Sequence, residues 1–443
     1  MVRLAVVAGT RPELTKLAPV FWELERRGLE YVFIWSGQHY DYMLSGVFME
    51  ELRLPEPDAS LGVGSGSHAA QTARLLVALE DVIDRMGPGA VAALGDTNTV
   101  LAAVKKGVPF IHIEAGLRSW NMTMPEEVNR IAADHVAQLL LAPTRLAALN
   151  LAGEGIPADM VRVTGNTVVD ALASLSVGPS SDGGYVLATI HRQENTDNPS
   201  RLASIVRALG RIAAETRVVM PLHPRTRKRL SQAGLLEHLA SSGVELLGPL
   251  SYHDFVKLLA SATVVVTDSG GVQEEALTLH VPTVTVRYNT EQPETVMLGC
   301  NVLAGADEEE IVRLTRVMAE KSEEIRRALS RIPNPYGEGD AAAKIVDAVE
   351  GADISIREPD MRGTPMLTYA LEASPGPGSR IIYGVSCDGS ITRRVEGTPM
   401  FMVRRAATWP KRSLCRRQSS TIDTGSGCTA SYHTSPGGST SQC

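Results

Sequence analysis

The sequence predicts an α/β chain of two doubly wound, Rossmann-like domains facing one cleft, followed by an irregular C-terminal extension. Three observations lead there. Eleven short apolar runs alternate with helical patterns over residues 1–350. Their lack of clean apolar–polar alternation suits parallel strands covered on both faces, and regular βα alternation implies doubly wound sheets. Eleven strands are many for one sheet, and the Gly- and Ser-rich stretch 174–184 falls midway, as a linker between domains 1–173 and 185–339. From about Ala352 the periodicity fails.

Composition bounds the function. A chain of 443 residues has room for two or three domains. No apolar run reaches the ~18 residues of a membrane span. Gly9, Arg11, Pro12 and Glu13 interrupt the first apolar stretch, unlike a signal peptide, so the expected location is the cytoplasm. A net charge of −7 argues against a nucleic-acid partner. No Cys precedes Cys300, as in a reduced enzyme body, whereas Cys387, Cys415, Cys428 and Cys443 crowd the end of the chain.

In the first half, strands are expected at 4–8, 31–35, 90–94, 110–114, 138–142 and 161–164, with helices such as 13–27 and 68–86 between them. The first strand runs into Gly9-Thr10-Arg11-Pro12-Glu13 and Lys16. A Gly turn opening a helix offers backbone N–H groups to an anion, and Arg11 and Lys16 add charge; the alternative is a plain turn with two solvated cations. The pattern is not G-x-G-x-x-G, which disfavours a dinucleotide cofactor. The third strand ends at Gly95-Asp96-Thr97-Asn98-Thr99 and the fourth at Glu114-Ala115-Gly116-Leu117-Arg118; Pro125-Glu126-Glu127 and Arg130 come next. Clustered carboxylates at neighbouring strand mouths suit acid–base work. Against that, Asp96 could cap a helix and Glu126 and Glu127 could simply favour a helix N-terminus; for Glu127 we adopt the helix role.

In the second half, strands are expected at 185–189, 218–222, 244–247, 263–267 and 283–287. His191, between the first of these and Arg192 and Glu194, is either a cleft residue or a loop histidine satisfied by backbone. Ser269-Gly270-Gly271, following Thr267-Asp268 at a strand end, opens a helix, a fit for a diphosphate, with Glu275 about one turn in and able to accept from both ribose hydroxyls of a nucleotide. The alternative is a permissive Gly-Gly turn with a first-turn acid behind it. No metal-ligand spacing occurs, so no metal and no cofactor are expected.

Together these segments resemble the non-hydrolysing UDP-N-acetylglucosamine 2-epimerases. The matching stretches are G-T-R-P-E with Lys16, S-G-Q-H-Y-D at 36–41, G-D-T-N-T, H-I-E-A-G-L-R, P-E-E-V-N-R, V-T-G-N-T-V-V-D-A-L, H-R-Q-E-N and T-D-S-G-G-V-Q-E-E-A, in family order over roughly residues 1–350. The resemblance implies the GT-B arrangement, with a helix at 340–351 returning to the first domain. It implies that Asp96, Glu114, Glu126 and His191 are catalytic. It puts Arg11, Lys16, Arg130, Arg192, Phe255, Ser269, Gly270, Gly271 and Glu275 on the UDP-sugar, and Gln38 and His39 in a segment that contacts an activating second UDP-N-acetylglucosamine. It implies a homodimer serving polysaccharide biosynthesis. The implied reaction is C2 epimerisation of UDP-N-acetylglucosamine to UDP-N-acetylmannosamine through 2-acetamidoglucal. The alternatives are a GT-B glycosyltransferase using a UDP-sugar donor and an epimerase of a modified UDP-N-acetyl sugar. One departure stands out: Gln292 occupies a position where the family usually has Arg, and Arg287 is the nearby cation that could compensate.

The extension 352–443 carries net +4, against −11 for residues 1–351. Its last 27 residues, 417–443, are mostly Ser, Thr, Gly and Cys and cannot offset chain entropy by burial, so disorder is expected there. A genuine appendage and a shifted reading frame both remain open, and no function is assigned to it.

Overall fold

The computed structural model describes residues 3–37, 49–64, 66–103, 107–175, 177 and 183–354, and five short strands beyond them. The chain divides into two compact units, 1–356 and 357–443.

The first unit holds two all-parallel sheets. The strands of the first are β1 (Leu4–Ala8), β2 (Tyr31–Trp35), β3 (Ala59–Ser60), β4 (Ala90–Leu94), β5 (Phe110–Ile113), β6 (Leu139–Ala142) and β7 (Val161–Val163), in the order β3-β2-β1-β4-β5-β6-β7. Those of the second are β8 (Val186–Thr189), β9 (Val218–Pro221), β10 (Val244–Leu247), β11 (Val264–Thr267), β12 (Thr283–Thr285) and β13 (Asn301–Leu303), in the order β10-β9-β8-β11-β12-β13. The eleven expected strands are present, shortened by up to two residues at their ends. Ala59–Ser60 and Asn301–Leu303 are additions. Both are edge strands of two or three residues, too short to leave a pattern in the sequence.

β1 pairs with β2 on one side and β4 on the other, and β8 likewise separates β9 from β11. The chain reverses its direction of sheet growth at these two points, and ligands of open α/β sheets bind in the crevice that such a reversal opens. Gly9 comes directly after β1 and Asp96 two residues after β4 at the first reversal; His191 and Ser269 each lie two residues past their strands at the second.

Alternate residues of β1 serve different cores. Leu4, Val6 and Ala8 pack against Leu14, Leu17 and Phe21 of the Arg11–Arg26 helix and against Ile345, Val346 and Val349 of the Ala341–Gly351 helix. Ala5 and Val7 pack against Leu75, Leu79 and Val82 of the His68–Met86 helix. The Ala341–Gly351 helix, which comes after the second sheet in sequence, thus lies on the first domain. Arg27 ties it down through Asp347 at 2.6 Å and Glu350 at 2.7 Å. The Thr167–Leu175 helix extends two residues into the stretch expected as linker.

In the second unit Tyr369–Leu371 pairs antiparallel with Val403–Arg405, and Arg380–Val385 pairs with both Ile391–Glu396 and Ala430–Tyr432. The expectation of disorder over 417–443 falls outside the described residues apart from that last strand.

Candidate functional site

The first helix does not present its N-terminus as the sequence suggested. Glu13 turns back so that its Oε2 accepts from the N–H groups of Gly9 and, at 3.1 Å, Thr10. The amides expected to hold an anion are therefore already occupied. Burial lifts the Glu13 carboxyl to about 7, although Thr97 and those two amides pull it down. Arg11, the cation expected beside these amides, is half-buried.

Lys16 sits between two carboxylates. Its Nζ contacts Glu114 Oε1 and lies 2.7 Å from Glu274 Oε2 of the second domain. Burial would lower its pKa, but Glu114 and Glu274 raise it well above the ordinary value, so it carries charge. Glu114 has a left-handed backbone, φ 66°, a strained conformation for a residue with a side chain. The next glycine, Gly116, is demanded by packing: a Cβ there would lie 2.3 Å from the Ala147 carbonyl oxygen.

Asp96 does not cap a helix. Its Oδ2 accepts from Arg130 Nη2 at 2.5 Å. The Pro125–Val136 helix supplies Arg130, whose other terminal nitrogen donates to Glu127. Glu127 accepts in turn from the N–H groups of Ser119 at 3.0 Å and Trp120 at 2.8 Å, stitching the loop ahead of the helix. Glu127 is thus a buried loop anchor, beyond the helix-end role expected of it. Arg130, expected on the substrate, is buried between two carboxylates. Glu126 stays one-third exposed and faces the second domain, its Oε1 3.8 Å from Arg192 Nη1.

Across the cleft, Asp268 organises the His191 loop. It accepts from the N–H groups of His191 and Arg192, each at 3.0 Å, and from Asn195 Nδ2 at 3.1 Å. The His191 ring is partly exposed, its Nδ1 3.4 Å from Asp268 Oδ1. Burial within the cleft walls lowers its pKa; Asp268 opposes that, while Arg192, Arg287 and Arg225 reinforce it. The ring is therefore neutral at pH 7.

The Gly270–Thr278 helix starts at Ser269, whose Oγ accepts from Val272 N–H at 3.4 Å. A Cβ on Gly270 would fall 2.4 Å from Glu291 Oε1, whereas Gly271 is uncrowded. Glu291 also accepts from Arg192 at 2.9 Å and Arg287 at 2.8 Å. Burial pushes its carboxyl up, but Arg192, Arg287 and Arg130 outweigh that and hold it well below the carboxylate range. Burial lifts Glu275 to about 7, against the pull of Tyr252 and Lys16. Phe255 is half-buried on the Tyr252–Ser261 helix and packs on the second domain's core.

Gln292 offers nothing to the open cleft. It is 2% exposed, donates to Glu274 Oε1 at 2.6 Å and accepts from the Tyr336 hydroxyl at 2.9 Å. Arg287 does not substitute for the missing cation either, because Glu291 and, at 3.0 Å, Glu194 hold it. Asp268, Glu274, Asn166 and Glu291 are polar residues of this region to which sequence reasoning gave no part. The first three lie inside the quoted motifs, which was the available signal. Gln38 and His39 lie outside the described residues. Among the described residues no cluster of His, Cys, Asp and Glu could hold a metal ion, and no helix is long and apolar enough to cross a membrane.

Known proteins share this architecture. The family model described as UDP-N-acetylglucosamine 2-epimerase matches residues 23–350. A relative from Methanocaldococcus jannaschii, named UDP-N-acetylglucosamine 2-epimerase, is 39% identical over 364 residues, spanning 78% of this chain and 98% of its own length. A Pseudomonas aeruginosa relative named UDP-2,3-diacetamido-2,3-dideoxy-D-glucuronate 2-epimerase is 40% identical over 360 residues, spanning 78% of this chain and 98% of its own length. The crystal structure of the Methanocaldococcus jannaschii UDP-GlcNAc 2-epimerase in complex with UDP-GlcNAc and UDP matches with a TM-score of 0.73 at 38% identity, covering 79% of this chain and all of that one. Agreement over both sheets, at this identity and along nearly the full length of these relatives, makes the chain a member of the UDP-N-acetylglucosamine 2-epimerase family.

Proposed function

We propose that this chain interconverts UDP-N-acetylglucosamine and UDP-N-acetylmannosamine by eliminating UDP to 2-acetamidoglucal and adding it back. The observation that carries the reading is the pairing of two unlike walls in one cleft. Carboxylates Asp96, Glu114 and Glu126 stand on one wall. A helix N-terminus at Ser269 and Gly270, with His191 and Arg192, stands on the other, and Glu126 reaches to 3.8 Å from Arg192.

The chemistry needs both walls. The C2 proton of the sugar has no adjacent carbonyl and is not acidic, so direct exchange is slow. Breaking the C1–O bond first, or with C2 deprotonation, removes that obstacle. The helix N-terminus, Ser269, Arg11 and Arg192 stabilise the charge that develops on the departing diphosphate. A carboxylate of the first domain takes the C2 proton, and reprotonation on the opposite face, then return of UDP to C1, yields the epimer. His191, held in its neutral form by burial, is an available proton acceptor beside the departing diphosphate. Glu275 holds the ribose and Phe255 the uracil, and both contacts stay constant during the reaction. Lys16 and Arg130 act from within the wall, through the carboxylates they pair with.

Proton NMR in heavy water with UDP-N-acetylglucosamine as sole substrate tests this. Loss of the C2 proton signal and appearance of the manno epimer are expected; a glycosyltransferase exchanges nothing without an acceptor. A second reading, an epimerase of a modified UDP-N-acetyl sugar, is favoured by the 40% identical relative named for a diacetamido uronate. Exchange with that sugar and none with UDP-N-acetylglucosamine would select it.

We further propose a cytoplasmic homodimer. Trp120, Met122, Val128 and Val77 are exposed apolar residues on or beside the His68–Met86 and Pro125–Val136 helices, a fit for a second copy. Cys300, the one cysteine before residue 357, is a buried free thiol, in keeping with a reducing compartment. Sedimentation of wild type and Val128→Glu tests the dimer, with dissociation of the variant expected.

A further inference from the structure

Glu274 lies on the second domain, has no accessible side-chain surface, and yet spends its carboxylate on the first domain. Its Oε2 is 2.7 Å from Lys16 Nζ, and its Oε1 accepts from Asn166 Nδ2 at 2.9 Å. Both donors also hold Glu114: Lys16 contacts Glu114 Oε1, and Asn166 Nδ2 donates to that same oxygen at 2.9 Å. Two carboxylates of different domains therefore share one ammonium and one amide. The second domain braces this arrangement from behind. Gln292 donates to Glu274 Oε1, the Tyr336 hydroxyl donates to Gln292, and the Tyr336 carbonyl accepts from Asn166 N–H at 2.7 Å.

Such a cluster is a poor way to gain stability. Burial raises the Glu274 carboxyl to about 8, Lys16 opposing and Glu114 reinforcing, so near pH 7 the two carboxyl groups share one ammonium and one proton; apolar side chains of similar volume would fill the space at lower cost. A cation at position 292 would favour the ionised form of Glu274, and this chain has a neutral amide there. The cluster does constrain Glu114, whose strained backbone would otherwise leave its carboxylate loosely aimed.

We propose that Glu274 is a positioning residue for Glu114, acting across the domain boundary through Lys16 and Asn166. This rests on the reading of Glu114 as an acid–base group given above. Glu274 itself touches no substrate in this scheme, and it sits beside Glu275 without sharing the ribose contact. It sets the geometry of proton transfer and leaves nucleotide binding to Ser269, Gly270 and Glu275.

Glu274→Gln keeps the shape of the side chain but replaces one acceptor oxygen with an amide NH2, so the side chain can no longer accept from both Lys16 and the Asn166 and Gln292 amides. Misplacement of a reacting group by about 1 Å costs on the order of a hundredfold, so kcat for C2 epimerisation should fall roughly ten- to a hundredfold. The Kd for UDP, by calorimetry, should stay within about twofold, since none of the UDP contacts changes. In a Glu114→Gln background the same substitution should cost nothing further, because the group it positions is gone. Unchanged kcat, parallel loss of UDP affinity, or an additive loss in the Glu114→Gln background would each overturn the proposal. If Glu274→Gln fails to fold by circular dichroism, Asn166→Ala removes the shared amide from the other side and should give the same split between kcat and Kd; an unchanged kcat there overturns it too. The wild-type chain separates the two readings. Wild-type exchange with a normal Glu274→Gln defeats this inference alone, whereas a wild type that exchanges neither UDP-N-acetylglucosamine nor the diacetamido uronate defeats the function and the inference together.

Discussion

Arg130 donates to Asp96 at 2.5 Å through one terminal nitrogen and to Glu127 through the other, with only 1% of its surface exposed. The guanidinium thereby joins a strand-end carboxylate to the loop before the Pro125–Val136 helix. Removing one partner of a buried pair leaves the other charge stranded, at a cost of about 3–5 kcal/mol. Arg130→Met should therefore lower stability in urea denaturation by an amount of that order. Arg130→Lys should recover only part, since a single ammonium cannot reach both carboxylates with a fork geometry.

Asp96→Asn and Glu114→Gln should each lower turnover by at least ~10²-fold, the scale for general acid–base groups. Both carboxylates pair with a cation, Arg130 and Lys16 respectively, which keeps its second carboxylate partner in the amide variants, so each variant should keep the fold by circular dichroism with a lowered melting temperature. Single-turnover kinetics on UDP-N-acetylglucosamine checks the first point; near-normal rates in both variants would move the proton chemistry elsewhere in the cleft.

Glu275 gives UDP binding a pH dependence of defined sign. Burial raises its carboxyl to about 7, so below that pH the free protein holds it protonated. Ribose hydroxyls donate best to the ionised form. UDP binding should therefore expel a proton, and affinity should rise from pH 6 to pH 8 before levelling off. Titration of the diphosphate itself contributes equally to a Glu275→Gln variant, so the difference between the two profiles isolates this group. Hydrogen bonds to a charged acceptor are worth ~1.5–3 kcal/mol, and Glu275→Gln should weaken UDP roughly ten- to a hundredfold at pH 8. Calorimetry at three pH values decides; parallel profiles would remove Glu275 from the ribose.

A cut immediately after Gly351 would remove Ile354, which is 5% exposed and belongs to the first domain's core. Burying such a side chain is worth ~1.5–3 kcal/mol. The fragment 1–351 should therefore be measurably less stable than 1–356. The fragment 1–356 should keep full epimerase activity, since all the described site residues lie within it and it forms a compact unit by itself. Loss of activity in 1–356 would show that the extension takes part in the reaction.

Parallel strands buried on both faces are apolar at most positions, so Leu4–Ala8 or Val264–Thr267 declare themselves without any partner. Doubly wound topology then carries the residues just past each strand toward the crevice, which is why Asp96, Glu114 and Ser269 were candidates from their place in the chain, while His191 stayed between a cleft residue and a loop histidine. The linear sequence could not say which groups neutralise which. Lys16 meets Glu274, Asn166 meets both Glu114 and Glu274, and Arg192 meets Glu126 only after two sheets have been brought together. Glu13 satisfies the very amides that a Gly turn seemed to leave open, and Gln292 turns inward to Tyr336. Edge strands such as Asn301–Leu303 exist because β12 offers them a partner. Local pattern is set by burial and backbone geometry, which act residue by residue. The electrostatic partners of a buried charge are set by whatever the fold brings within a few ångströms, and only the tertiary structure decides that.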